Sequence, residues 1–147
     1  METGKIQINT DGGARGNPGP AASAFVVKNS AGVVQYRCGK FLGVATNNKA
    51  EYEAVIMALE WVRDNMQIEN GQLKIDFFSD SSLMVNQIKG KFRVKNPELI
   101  NLYGKIKNLI EEINGMVTFS FVPREQNVDA DLLVNKTLDG IKISQIR

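Results

Sequence analysis

The sequence predicts an α/β domain built on a five-stranded mixed sheet, three strands antiparallel and two further strands parallel, flanked by helices. Three observations predict it. Period-two apolar alternation runs through three early segments joined by short, turn-rich links, which suits antiparallel neighbours. After residue 47 helical patterns alternate with two strand-like runs, and strands joined through helices pair in parallel. The chain has 147 residues, 43% of them hydrophobic. That suffices for one core, and no repeat or low-complexity linker divides it. Residues 1–147 therefore read as a single domain, with 1–4 and 141–147 as tails.

The elements follow in order. "KIQIN" places Ile6 and Ile8 on one face, and Asp11 ends this first strand, because Asp-Gly-Gly is a strong turn signal. "SAFVV" continues after the Gly/Pro loop, and "VVQYRCGKFL" follows an "NSAG" turn. A long helix runs from about Asn48, a candidate N-cap, to about Asp64. "LKIDFF" is an apolar strand, followed by a short helix from about Ser81 and a longer one from near Pro97 to about Glu112. "MVTFSFV" alternates as the fifth strand, and the last helix is capped by Asn127 and stopped by Gly140. The tail "GIKISQIR" either docks on the sheet edge or is disordered.

Composition excludes much chemistry. The chain has no histidine and one cysteine, Cys38. Ser-His-Asp and Cys-His nucleophile pairs are therefore absent, and so is any ordinary structural zinc site. Cys38 alternates with Val34 and Tyr36, so it reads as a buried structural thiol in a reducing, cytoplasmic setting. The first residues lack a secretory h-region, and no stretch is apolar enough to span a membrane. A net charge of +2 is too small to argue for nucleic acid by itself. Carboxylate chemistry remains.

Four acids stand where a fold alone would not place them. A helical projection puts Glu51 in line with Val55, Ala58, Leu59 and Val62, while Glu53, Glu60 and Asp64 gather on the opposite face. The bland reading is a first-turn acid that answers the helix dipole. Asp80 lies at the carboxyl end of a parallel strand, where open α/β sheets place their sites, or is simply an N-cap. Asp131 lies one turn from Val128, Leu132 and Asn135, while Asp129 is an ordinary first-turn acid. The topology brings Asp11, Glu51, Asp80 and Asp131 towards one edge of the sheet. Carboxylates about 4 Å apart repel by roughly 4 kcal/mol per pair at an effective dielectric near 20. Divalent cations make such a gathering sensible. All-oxygen ligands suit Mg²⁺ or Mn²⁺, and two such ions can activate a water and stabilise the oxygen leaving a phosphodiester.

The blocks "TDGGARGNPGPAA", "TNNKAEYEAVIMAL", "FFSDSSLMVNQIKG" and "REQNVDADLLVN", in that order and with one acid in each, resemble the type 1 ribonuclease H family. The resemblance implies the ribonuclease H-like fold and an endonuclease that hydrolyses the RNA strand of RNA/DNA hybrids, leaving 5′-phosphate and 3′-hydroxyl ends. It makes Asp11, Glu51, Asp80 and Asp131 the catalytic, metal-binding quartet for two Mg²⁺ or Mn²⁺ ions. It also implies substrate contacts from Asn17, Thr46, Asn47, Asn48, Ser82 and Arg124, with Gly12 and Gly13 close to the RNA backbone. Double-stranded RNA is the alternative partner, since it shares A-like geometry and 2′-hydroxyls. No membrane partner is expected, and the protein reads as a monomer.

The chain departs from the family pattern in three places. Many bacterial members carry a histidine before the last helix, where this chain reads "VPREQNVDAD". Arg124, Asn127, Ala130 and Asp131 instead match the Arg-x-x-Asn-x-x-Ala-Asp pattern of archaeal-type members. The basic protrusion of some bacterial members is missing, and in its place Lys89, Lys91, Arg93 and Lys95 recur at every second residue. An extended backbone would line them up as a phosphate-tracking patch. No hybrid-binding domain is expected before Lys5.

Overall fold

The computed structural model describes residues 4–66 and 73–140. Its elements are β1 (Lys5–Ala14), β2 (Gly19–Asn29), β3 (Val34–Ala45), α1 (Asn47–Asn65), β4 (Lys74–Ser79), α2 (Ser82–Ile88), α3 (Pro97–Ile113), β5 (Met116–Phe121), a 3-10 turn (Arg124–Gln126) and α4 (Val128–Leu138). The sheet order is β3-β2-β1-β4-β5. β1, β2 and β3 pair antiparallel, and β4 joins β1 and β5 in parallel. The mixed five-stranded sheet expected from the sequence is the sheet observed. Residues 141–147, all of the tail "GIKISQIR" except Gly140, lie outside the described residues, as do residues 1–3 and 67–72. Gly4 is described, and its carbonyl accepts from the Lys74 amide at 2.9 Å.

Two apolar layers fix the sheet. On one face Ile6, Ile8, Phe25, Val27, Ile75 and Phe77 pack against Val55, Leu59 and Val62 of α1 and Ile106 and Leu109 of α3. On the other, Ala22, Ala24 and Val26 receive Ala130, Leu133 and Val134 of α4. Small residues on β2 let this second helix lie close. Cys38 packs at the margin of the larger core and is half-buried, because β3 is an edge strand with a neighbour on one side alone. No helix among the described residues is long and apolar enough to cross a membrane.

β1 runs further than the turn signal suggests. Asp-Gly-Gly is strand, with Asp11 opposite Ala24, Gly12 opposite Ser23 and Gly13 opposite Ala22. Sheet pairing overrides the local preference, and Gly12 serves packing. A Cβ on Gly12 would overlap the Ala50 carbonyl group and the Glu51 amide, so the bare Cα is what lets α1 touch the sheet. The Ser23 hydroxyl donates to the Ala50 carbonyl at 2.6 Å and closes the same contact from β2. A Cβ on Gly13 would meet Val134 Cγ1 at 3.7 Å, an ordinary contact.

Gly12→Ala should therefore destabilise the protein by about 1–3 kcal/mol or more, as overpacking against immobile backbone does, while Gly13→Ala should be close to neutral. Urea unfolding of the two variants checks this, and equal effects would contradict the packing account.

Candidate active site

Each acid reaches the cleft from a different element. Asp11 lies in β1 and is 7% exposed, and Glu51 lies in α1 and is 9% exposed. Glu51 stands beyond the first turn of α1, which holds no acid, so the dipole-answering reading does not apply to it. Its Oε1 accepts from the Gly12 amide at 2.6 Å. Asp80 follows β4 and is not the cap of α2. That role falls to Ser81, whose hydroxyl accepts from the Met84 amide.

Carboxylate oxygens of Asp11, Glu51 and Asp80 come within 4.8 Å of one another. Asp131, in the first turn of α4, lines the same cleft of about 450 Å³ but stands outside this triad. Its side chain is 30% exposed, with Oδ1 3.6 Å from Arg124 Nη2. Val128 and Leu132 do not share a buried face with it, since both are about half exposed, and Asp129 pairs with Lys28 at 3.0 Å.

Burial and crowding act on the acids together. Burial, then the charges of Asp80 and Asp131, push the Asp11 carboxyl up to about 7. Burial, then the charges of Asp11 and Asp80, raise Glu51 well above the usual carboxylate range. The two groups also hydrogen-bond to each other. Without a cation, a proton held between them offsets the repulsion. All donors of the triad are carboxylate oxygens, and a hard divalent cation prefers such a set.

The other predicted residues divide. Thr46, Asn47 and Asn17 form a staple between the β1–β2 loop and α1. Thr46 caps α1, accepting from the Lys49 amide, so the helix begins one residue before Asn48 and Asn48 is not the cap. Asn47 Oδ1 accepts from the Ala14 amide at 2.8 Å, and Asn17 Oδ1 accepts from the Asn47 amide at 2.9 Å. Asn48 is exposed beside them. Ser82 is exposed at the start of α2, where Asn86 donates to it. Arg124 lines the cleft, and its side chain is 76% exposed. Gly12 and Gly13 line it too, though the missing Cβ of Gly12 accommodates α1.

Lys89, Lys91, Arg93 and Lys95 are all exposed, but their backbone is not extended throughout. Lys89 closes α2 in a right-handed conformation, Gly90 has φ +81°, and the amides of Lys91 and Phe92 both donate to the Asn86 carbonyl. The glycine turn breaks the alternation read from the sequence, so the four do not form one straight row.

Sequence reasoning missed a buried amide pair. Asn127 is 1% exposed and gives α4 no side-chain cap. Its Oδ1 accepts from Asn9 Nδ2 at 3.0 Å, and its Nδ2 donates to the Thr10 carbonyl at 2.9 Å. A faint signal exists, because Asn9 is a polar residue inside a strand, on the same face as Asp11 two residues on. Arg15 was missed as well. It lines the cleft and pairs with Asp139 at 2.8 Å.

A family profile described as Reverse transcriptase-like matches residues 9–137. Over 137 residues the chain is 36% identical to the Bifunctional protein Rv2228c of Mycobacterium tuberculosis, covering 92% of this chain and 36% of that protein. It is 35% identical over 136 residues to the Ribonuclease HI of Halobacterium salinarum, covering 92% of this chain and 65% of that protein. The chain thus spans about a third of the mycobacterial relative and under two thirds of the halobacterial one. Among solved structures, LC11-RNase H1 in complex with an RNA/DNA hybrid superposes with a TM-score of 0.85 at 38% identity, covering 92% of this chain and 97% of that one. With the profile, the coverage and the cleft in agreement, the chain belongs to the type 1 ribonuclease H family.

Proposed function

We propose that the protein is a Mg²⁺- or Mn²⁺-dependent endonuclease that hydrolyses the RNA strand of RNA/DNA hybrids, leaving 5′-phosphate and 3′-hydroxyl ends. The observation that carries this reading is the convergence of Asp11, Glu51 and Asp80 oxygens within 4.8 Å, in a chain of this family. The donor set fits a hard divalent cation. Asp11, Glu51 and Asp80 would hold one, and Asp131 would complete the second. When bound, the cations supply charge for activating a water and for the oxygen that leaves the phosphorus.

The chain's own residues do the rest. The Gly12 amide fixes Glu51, so this carboxylate is aimed before any ligand arrives. Arg124 places an exposed cation beside Asp131, where many bacterial members carry histidine. It supports an anionic strand in the cleft without the proton exchange an imidazole offers at neutral pH. Asn17 and Asn47 use their Oδ1 atoms within the protein, which leaves their Nδ2 groups as donors, that of Asn47 on the wall of the cleft. Such donors, with the exposed Asn48 beside Asn47 and the exposed Ser82 two residues after Asp80, suit the 2′-hydroxyls that distinguish RNA from DNA. The exposed basic residues from Lys89 to Lys95 supply phosphate contacts around a turn rather than along a line.

Three outcomes are expected. Asp80→Asn should cut a labelled hybrid at least about a hundredfold more slowly in Mg²⁺, because it removes a ligand rather than a group behind one. Undiminished cleavage would sink the assignment, and a duplex RNA arm of the same assay separates the two substrate classes.

The second concerns pH. Asp11, at about 7, and Glu51 are both raised, so the folded protein without cation holds protons that the unfolded chain releases near pH 4. That contribution to stability is full below pH 4 and is lost as pH rises through about 7. Cation binding requires the deprotonated acids, so Mg²⁺ should raise the Tm more in alkaline than in mildly acidic buffer. Thermal scans with and without Mg²⁺ read this directly.

Third, replacing Lys89, Lys91, Arg93 and Lys95 by alanine should lower the salt slope of hybrid binding by about one for each phosphate that the side chains neutralise in the parent. An unchanged slope would show that the four are only a solvated charge run.

A further inference from the structure

β1 and α4 face each other in matched steps. Asn9, Asp11 and Gly13 alternate onto the side of β1 that looks towards α4, opposite Ile6 and Ile8. Asn9 meets Asn127 through a buried hydrogen bond. The Asp131 amide donates to the Asn127 carbonyl at 3.1 Å, so Asp131 stands one helical turn further on. Gly13 comes up against Val134, within 3.7 Å of Cγ1 for an added Cβ. Two strand residues advance about 6.6 Å and four helix residues about 6 Å. If Asn9 is opposite Asn127, Asp11 is therefore opposite Asp131, and the two line the same cleft.

The apolar contact alone does not set this register. Ala130, Leu133 and Val134 lie on Ala22, Ala24 and Val26, a surface of short side chains with shallow grooves for a helix to lock into. The amide pair supplies the direction that the alanines lack. Asn127 occupies the N-cap position, where its side chain ordinarily accepts from an amide of the first turn. Here it makes no such bond and reaches β1 instead, bonding Asn9 and the Thr10 carbonyl on the residue before Asp11.

We propose that the Asn9–Asn127 clasp is a positioning device that sets the register of α4 on β1 and so places Asp131 opposite Asp11 for cation binding. This rests on the function proposed above for the acidic cleft. Neither asparagine touches the reacting atoms; both act through the carboxylates they space.

The test compares Asn127→Ala, Asn9→Ala and Leu133→Ala with the parent. The last loosens α4 from its core but leaves the clasp intact. Calorimetric titration with Mn²⁺ alone should show affinity about ten- to a hundredfold weaker in Asn127→Ala, as for residues that orient a metal ligand. Asn9→Ala keeps the bond to Thr10 and should fall between it and the parent. Hybrid kinetics should show the loss in kcat, with KM within about twofold of the parent. Amide hydrogen exchange at Asp131 should accelerate in Asn127→Ala while α3 stays protected.

Two results would overturn the proposal. One is Mn²⁺ affinity within about twofold of the parent in Asn127→Ala. The other is an equal loss in Leu133→Ala, because any loosening of α4 would then suffice. If the parent itself neither binds Mn²⁺ nor cuts hybrid, the proposed function fails, and exchange at Asp131 decides the clasp separately. Acceleration would uphold its positioning role, and unchanged exchange would end it.

Discussion

Helix α1 meets strand β1 at Gly12, and the chemistry of the cleft depends on that contact. With no Cβ in the way, the helix backbone lies against the strand, and the Gly12 amide bonds Glu51 directly. Two carboxyl groups are thereby held out of water beside a third. Such a cluster is unfavourable unless protons or cations compensate it. The raised Asp11 and Glu51 carboxyls express that cost in the protein without metal. The fold stores an unmet demand for positive charge at one point, and both sides of the sheet hold it there. Ser23 and the Asn17–Asn47 staple fasten α1 from one side, and the Asn9–Asn127 clasp fastens α4 from the other.

Much of this was legible in the sequence where periodicity carried it. The helical projection turned Glu51 inward with Val55, Leu59 and Val62, all of which are buried. The crossover rule gave two parallel pairs and brought the four acids to one end of the sheet. Local signals were less dependable, because each has several uses. Asp-Gly-Gly reads as a turn until β2 pairs across it. Asp80 and Asn127 both read as caps, yet Ser81 caps α2, and Asn127 turns inward to β1. Only tertiary contact distinguishes these roles. The basic alternation failed for a local reason, a positive-φ glycine at position 90.

The cleft also shows how few residues have a single duty. Asn17 and Asn47 are substrate candidates by resemblance, and in the structure they fasten the loop to the helix start. A side chain already fixed at one end loses less freedom when its other end engages a ligand, which favours selectivity by preorganised donors. Arg124 is the opposite case, exposed and loosely paired with Asp131 at 3.6 Å.

The carboxylates of Asp11, Glu51 and Asp80 are proposed to hold a divalent cation. Anomalous diffraction from crystals equilibrated with Mn²⁺ tests it most directly. The strongest anomalous peak is expected among these three side chains. Bare carboxylates at a Mn²⁺ concentration that supports cleavage of a hybrid would contradict it.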